Sequence, residues 1–185
     1  FVIVSKALQG GISTFCVAKA LYRAIVNENE NILIVSYKSD SSKALFEKLK
    51  SMNEWLPREK YPDLFPNVKR DNRDELIFDN GSRIQCIVAG IKSIGRGSTY
   101  SWIHLSEYAF YDKQEMQLLS AEQSLMKGNS SQLTIETTSN GTGNNYYKLF
   151  MSAWKNNSKY KAMFIPFYHD LYKKQFKYEH DEAEA

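Results

Sequence analysis

The chain has 185 residues, of which 43 % are apolar and 24 % charged, a composition typical of one globular domain. Its formal net charge of +3 allows a polyanionic partner, but a strongly basic nucleic-acid-binding surface would give a larger charge. No apolar run approaches the ~18 residues that a membrane span requires, so we expect no membrane insertion.

An apolar strand at the start of the chain runs into a glycine loop that opens a helix. This layout is similar to the P-loop pattern G-x-x-x-x-G-K-[ST], which binds nucleotide phosphates. With Ser13 as the hydroxyl, Gly11 matches the second glycine, while Ile12 replaces the lysine and Lys6 stands at the first glycine. The register with Thr14 as the hydroxyl does not match the pattern, because it places Ile12 at the second glycine. The pattern predicts a phosphate loop with a displaced lysine, and a plain Gly-Gly connection is the alternative.

Strands and helices alternate along the next part of the chain, which predicts a parallel sheet. Two alternating runs joined by Asn80-Gly81 predict a β-hairpin, and the proline-rich segment Trp55–Arg70 before it predicts an irregular insertion. The other predicted elements are a helix after Thr14 that ends near Asn27, a strand at Asn31–Ser36, a helix at Ser41–Met52, a strand at Ser101–Ser106, a helix at Lys113–Lys127, a strand at Gln132–Thr138, a helix at Asn145–Trp154 and a strand at Tyr160–Pro166.

The buried strand before Glu107 ends in an acid. Ligands bind at the carboxyl ends of parallel strands, so Glu107 is predicted to face the same crevice as Gly11 and Ser13. A carboxylate there can activate the water that attacks a γ-phosphate; a surface glutamate at a strand end is the alternative. Ser106 stands where an aspartate normally binds the metal's water shell, and His104 is predicted to be a core histidine.

Polar residues also end the strand before Thr138 and continue into a turn with Asn140. Threonine and asparagine usually cap helices in such turns. Beside a phosphate loop and a catalytic acid, they are also placed to sense the γ-phosphate and report it to the next helix.

Four motifs in this order resemble the large terminase subunit of tailed double-stranded DNA phages. They are Lys6–Ser13 as a deviant Walker A motif, Gly95–Thr99 as the loop before Walker B, Ile103–Phe110 as Walker B and Thr137–Gly141 as the coupling motif. The resemblance implies a three-layer α/β P-loop NTPase fold with a mostly parallel central sheet and an added β-hairpin. It also implies an ATP-driven motor that pumps viral DNA into a capsid.

The resemblance assigns a role to each candidate site residue. It implies Glu107 as the catalytic residue that activates water, Ser13 as the Mg²⁺ ligand, and Thr138 and Asn140 as coupling residues. Arg96 is a candidate arginine finger that reaches a neighbouring subunit, and a contact with a carboxylate or DNA phosphate in its own subunit is the alternative. The nucleotide-binding loop comprises Lys6, Gln9, Gly10, Gly11, Ile12, Ser13 and Thr14. Two departures stand out: Leu8 occupies a position that is Arg in many members, and Ser106 replaces the Walker B Asp.

The same resemblance sets the expected domain organisation and partners. Residues 1–167 are expected to form the ATPase domain, without its N-terminal part, because a strand begins directly at Phe1. Residues 168–185 are expected to be a tail or linker toward a nuclease domain that this chain lacks, so DNA cleavage is not expected from it. The implied cofactors are ATP and Mg²⁺. The implied partners are double-stranded DNA, a portal protein, a small terminase subunit and further copies in a ring on the portal.

The implied location is the host cytoplasm during phage assembly, and a prophage-encoded protein is compatible with it. Two other functions stay open at the level of sequence. One is a helicase-type DNA-dependent ATPase, although no arginine-rich helicase motif is found. The other is a non-hydrolysing nucleotide- or DNA-binding assembly module, which Ile12 and Ser106 favour.

Overall fold

One eight-stranded sheet organises the described residues, which in this computed structural model are 1–8, 10–90, 94, 97–128 and 130–166. The strands are β1 (Val2–Lys6), β2 (Asn31–Ser36), β3 (Val68–Asp71), β4 (Glu75–Phe78), β5 (Arg83–Val88), β6 (Trp102–Ser106), β7 (Gln132–Thr137) and β8 (Lys161–Ile165). The helices are α1 (Ile12–Val26), α2 (Ser39–Glu54), α3 (Gln114–Gln123) and α4 (Asn145–Trp154), and a 3-10 turn (Tyr108–Phe110) follows β6.

The strand order places β7 between the strand that leads into the glycine loop and the strand that ends at Ser106. The full order is β3-β4-β5-β2-β6-β7-β1-β8. The strands from β5 to β8 in this order pair in parallel, whereas β3, β4 and β5 pair antiparallel. The predicted mostly parallel sheet with an added hairpin is therefore confirmed. The carboxyl ends of β1, β6 and β7 meet at one edge.

Helices cover both faces of the sheet, which gives the predicted three-layer α/β fold. Helices α1 and α2 pack with β2, β4 and β5 in one apolar cluster, and residues from α3 and α4 pack in a second cluster on the opposite face. Strand β2 contributes to both clusters, because its four apolar residues alternate between the two faces and are all at most 1 % exposed.

The hairpin prediction is confirmed, but the preceding segment differs from expectation. Asn80 and Gly81 form the turn between β4 and β5, and Gly81 has a φ of 82°, which favours glycine. Part of the predicted irregular insertion forms the edge strand β3. All four of its residues are exposed, and they include Lys69 and Arg70, so no apolar alternation marks the strand.

Helix α3 ends earlier than predicted because the chain after it pairs with the segment that enters β6. The backbone N–H of Tyr100 donates to the carbonyl of Ser124, and that of Met126 donates to the carbonyl of Tyr100. None of the described helices has the length and apolar character needed to cross a membrane. The predicted tail, residues 168–185, lies outside the described residues.

Candidate active site

The loop after β1 enters α1 through Gly11, whose φ of 72° lies in the left-handed region that favours glycine. The first turn of α1, which lies wholly within the described residues, has no acidic residue and no side-chain cap. Its backbone N–H groups are therefore available to an anion. Gly10 belongs to the same loop, whereas the predicted loop residue Gln9 lies outside the described residues.

Lys6, the last residue of β1, lies between two carboxylates. Its Nζ is 2.6 Å from Glu107 Oε1 and 3.1 Å from Glu136 Oε2, and the residue is 8 % exposed. Burial alone lowers the pKa of Lys6, but the two carboxylates, Glu136 first, outweigh burial and raise it above the ordinary lysine value. Lys6 is therefore a charged ammonium group at the carboxyl edge of the sheet.

Glu107 is held by the end of the neighbouring strand β7. Its Oε2 accepts hydrogen bonds from Thr137 Oγ1 at 3.2 Å, Thr138 N at 3.0 Å and Thr138 Oγ1 at 3.1 Å. The backbone of Glu107 has a φ of 56°, an uncommon conformation for a non-glycine residue. This sharp turn directly after β6 and the three donors fix the carboxylate beside Lys6.

Glu136, on β7, is a site residue that sequence analysis did not identify. Its side chain is fully buried, and its Oε1 accepts hydrogen bonds from Ser13 Oγ at 2.8 Å and Ser106 Oγ at 2.6 Å. His104 Nε2 lies 3.3 Å from the same oxygen. Glu136 thus joins the glycine loop, β6 and Lys6 in one cluster.

Opposing influences act on the ionisation of the Glu136 carboxyl group. Burial alone raises its pKa, but His104, Lys6 and the Ser106 hydroxyl favour the ionised form and together bring the pKa below the usual range. His104 responds in the opposite direction: burial lowers its pKa, but contacts with Cys16 and Glu136 raise it above the ordinary value. His104 is fully buried, as predicted for a core histidine.

The three residues that begin α1 point to different surroundings. Ser13 faces Glu136, whereas Thr14 Oγ1 accepts a hydrogen bond of 3.2 Å from Lys48 of α2. Ile12 packs against the core beneath α1 and α2. Of these three residues, Ser13 alone has a side-chain hydrogen bond to the carboxylate cluster.

A chain of hydrogen bonds connects the Glu107 turn to α4. Asn140 Nδ2 donates to the carbonyl of Ala109 at 2.9 Å, and Asn144 Nδ2 donates to the carbonyl of Asn140 at 2.6 Å. Asn144 caps α4 by accepting a bond from the Tyr147 N–H at 2.8 Å. The structure thus brings Lys6, Ser13, Glu107 and Thr138 together and links Asn140 to them; the predicted finger Arg96 lies outside the described residues.

Two features of the sequence point to Glu136 in retrospect. The residue lies near the carboxyl end of the strand predicted before Thr138, the edge at which ligands bind in parallel sheets. In addition, Ser106 stands where the resemblance predicts an aspartate, which directs attention to acids on the neighbouring strands. The position of β7 beside β1 and β6 is a long-range feature that neither signal contains.

No protein-family model and no curated protein sequence matches this chain, but several solved structures do. The ATPase domain of the Thermus phage P74-26 large terminase, in a mutant form, has a TM-score of 0.74 and 15 % identity, with 97 % of this chain and 80 % of that chain covered. The bacteriophage HK97 large terminase has a TM-score of 0.69 and 12 % identity, with 94 % and 37 % covered.

The large terminase of a thermophilic bacteriophage, solved in complex with ATP-γ-S, has a TM-score of 0.64 and 10 % identity. This chain spans 43 % of that protein, while 95 % of this chain is covered. At these identities the likeness establishes the fold. The chain has the fold of large terminase ATPase domains, as the resemblance in its motifs predicted.

Proposed function

We propose that this chain is the ATPase motor domain of a viral terminase large subunit, which hydrolyses ATP to translocate double-stranded DNA into a procapsid. One observation carries the proposal: Lys6 and Glu107, which are 101 positions apart in sequence, meet at 2.6 Å at the carboxyl edge of a terminase-type sheet. A displaced P-loop lysine and a strand-end acid that come together support a site for phosphate chemistry.

Nucleotide binding is assigned to the loop from Lys6 to Thr14. The backbone N–H groups around Gly10, Gly11 and the first turn of α1 would hold the phosphates, and Lys6 would exchange carboxylate oxygens for phosphate oxygens. The Ser13 hydroxyl and the carboxylate beside it are hard oxygen donors of the kind that Mg²⁺ prefers, so the residues fit this metal. Bound with ATP, Mg²⁺ would neutralise phosphate charge.

Glu107 is the proposed general base. Its carboxylate would accept a proton from a water molecule as the water oxygen bonds to the γ-phosphorus and the bond to the ADP oxygen breaks. Thr138 donates two hydrogen bonds to this carboxylate. Protonation of the Glu107 carboxylate during hydrolysis would therefore alter its hydrogen bonds with Thr138. Through the hydrogen bonds at Asn140 it would also affect the start of α4.

The wider assembly follows from the same family resemblance. We propose double-stranded DNA as the cargo, a homo-oligomeric ring on a portal protein as the working form, a small terminase subunit as a partner and the host cytoplasm as the location. A net charge of +3 is compatible with transient contacts to DNA phosphates during translocation.

ATP turnover measured with double-stranded DNA, with single-stranded DNA and without DNA tests this function. We expect turnover that double-stranded DNA stimulates and, with procapsids and portal present, DNA that becomes protected from nuclease. Nucleotide binding without turnover would instead favour the assembly module. Stimulation by single strands, together with strand separation, would favour the helicase-type ATPase.

A further inference from the structure

Ser106 stands at the position where the resemblance predicts a Walker B aspartate, and an acid lies directly opposite it on the next strand. Ser106 and Glu136 are partners in the parallel register of β6 and β7. The Ser106 hydroxyl donates to Glu136 Oε1 at 2.6 Å, inside the protein, where the two residues are 3 % and 0 % exposed. The acid is therefore displaced by one strand.

Positions 106 and 136 are so close that only one of them can hold an ionised carboxylate. Two ionised carboxyl groups at hydrogen-bond distance in a buried site repel each other, and one of them must bind a proton. A serine at position 106 avoids this repulsion and donates a hydrogen bond to the Glu136 carboxylate instead. The two residues complement each other, and the contact between positions 106 and 136 contains one carboxylate.

The location of β7 brings this acid to the glycine loop. Strand β7 lies between β6 and β1, and Glu136 is paired with Val4 on one side and Ser106 on the other. Its Oε1 accepts a hydrogen bond of 2.8 Å from Ser13 Oγ, the hydroxyl assigned to the metal. Glu136 thus contacts the proposed metal-binding hydroxyl, beside which a Walker B acid is expected to lie.

We propose that Glu136 supplies, from β7, the metal-directed carboxylate that Ser106 cannot supply from β6. Together with Ser13 it would hold the Mg²⁺ that accompanies ATP, using oxygen donors that suit this ion. The inference rests on the proposed function, because it concerns the metal of the same nucleotide site.

A purely structural role for Glu136 as the counter-ion of Lys6 accounts less well for the geometry. Lys6 already has a carboxylate partner in Glu107 at 2.6 Å, closer than Glu136 at 3.1 Å. Burying a carboxylate is costly, and buried ion pairs are often no more stable than apolar replacements. The Ser13 contact, which a counter-ion of Lys6 does not need, is explained by a role toward the metal.

The test compares the affinity for ATP-γ-S in Mg²⁺ and in EDTA, measured by titration calorimetry, for the wild type and Glu136→Gln. The wild type is expected to bind the nucleotide more tightly in Mg²⁺. This Mg²⁺ advantage is the ratio of the affinity in Mg²⁺ to the affinity in EDTA. In Glu136→Gln the ratio is expected to fall by about 10–100-fold, the usual cost of losing a residue that tunes a metal site. The affinity in EDTA is expected to be retained or increased, because a negative charge near the phosphates is removed.

Binding of Mn²⁺ in the presence of ATP-γ-S, followed by the electron paramagnetic resonance signal of free Mn²⁺, gives a direct second readout. Glu30→Gln is the matched control, because Glu30 is also a buried glutamate, ion-paired with Arg23 at 2.8 Å and located before β2 at the opposite edge of the sheet. This control is expected to keep the full Mg²⁺ advantage.

The double variant His104→Gln/Glu136→Gln covers the case in which Glu136→Gln alone does not fold, because it removes two facing charges together. It is expected to lose the Mg²⁺ advantage as well. A folded single or double variant that keeps the wild-type advantage and Mn²⁺ affinity would overturn the inference and leave the proposed function intact. A wild type that binds no nucleotide would overturn the proposed function itself.

Discussion

The Ser106 hydroxyl donates a hydrogen bond of 2.6 Å to the Glu136 carboxylate across neighbouring parallel strands. This pair places one acid among Lys6, Ser13 and His104, and it makes position 106 intolerant of a second carboxylate.

Ser106→Asp is predicted to lower the free energy of unfolding by about 3–5 kcal/mol at pH 7, because it adds an uncompensated charge to a buried site. The loss should be smaller at pH 4. A carboxyl group whose pKa is raised by a neighbouring carboxylate stabilises the folded state at low pH and loses that contribution as pH rises. Urea unfolding at both pH values measures these free energies of unfolding.

Ser106→Ala, which loses one hydrogen bond, should lower the free energy of unfolding by only about 1 kcal/mol. Equal effects of the two substitutions at pH 7 would contradict the prediction.

Lys6→Ala is predicted to weaken ATP binding, because a charge-assisted contact with the outer phosphates is lost and Ile12 cannot replace it. Hydrogen bonds of charged groups contribute about 1.5–3 kcal/mol, which corresponds to about 10–150-fold in Kd. Titration calorimetry measures the change. Lys19→Ala is the control, since Lys19 of α1 contacts Gln132 at the start of β7, away from the loop. Wild-type affinity in Lys6→Ala would show that the displaced-lysine register is wrong.

Asn140→Ala is predicted to keep ATP binding but to reduce the stimulation of turnover by double-stranded DNA. The substitution removes the 2.9 Å bond to the Ala109 carbonyl and thereby weakens the connection between the Glu107 turn and α4, whereas the bond from the Tyr108 hydroxyl to Asn145 Oδ1 is kept. Turnover with and without DNA measures the effect. Asn27→Ala serves as the control, because the Asn27 amide also donates to a backbone carbonyl, that of Arg23, at the far end of α1. Unchanged DNA stimulation in Asn140→Ala would remove this residue from the coupling role.

Arg96 is predicted to act in trans as an arginine finger, a contribution worth about 10³–10⁵ in rate. Arg96→Ala subunits keep an intact ATP pocket, and Glu107→Gln subunits keep an intact finger. Mixed rings should therefore regain ATPase activity that neither variant shows alone. If the two variants demonstrably co-assemble and no activity returns, Arg96 does not act on a neighbouring site.

The sequence predicted those parts of the fold and the site that local patterns encode. The buried strand Asn31–Ser36 and the helix Asn145–Trp154 have the bounds that were predicted, because an apolar β-branched run marks the first and a capping asparagine precedes the second. The location of Glu107 at the carboxyl edge of the sheet was likewise predictable, because it follows directly after an apolar strand.

Long-range pairing explains what the sequence did not predict. The importance of Glu136 depends on β7 lying between β1 and β6, which no local pattern specifies. The edge strand β3 has only exposed residues, so the alternation that identifies half-buried strands is missing. The contact of Thr14 with Lys48 likewise depends on how α1 packs against α2.

The central claim, that this site hydrolyses ATP with Glu107 as the base, is tested most directly by single-turnover release of γ-phosphate in the wild type and in Glu107→Gln at matched ATP occupancy. Glu47→Gln, which alters an exposed glutamate of α2, is the control. The account predicts that Glu107→Gln binds ATP at least as tightly as the wild type, because Lys6 loses a competing carboxylate, and that its release rate falls by about 10²–10⁴. Release at the wild-type rate from Glu107→Gln with bound ATP would contradict the account.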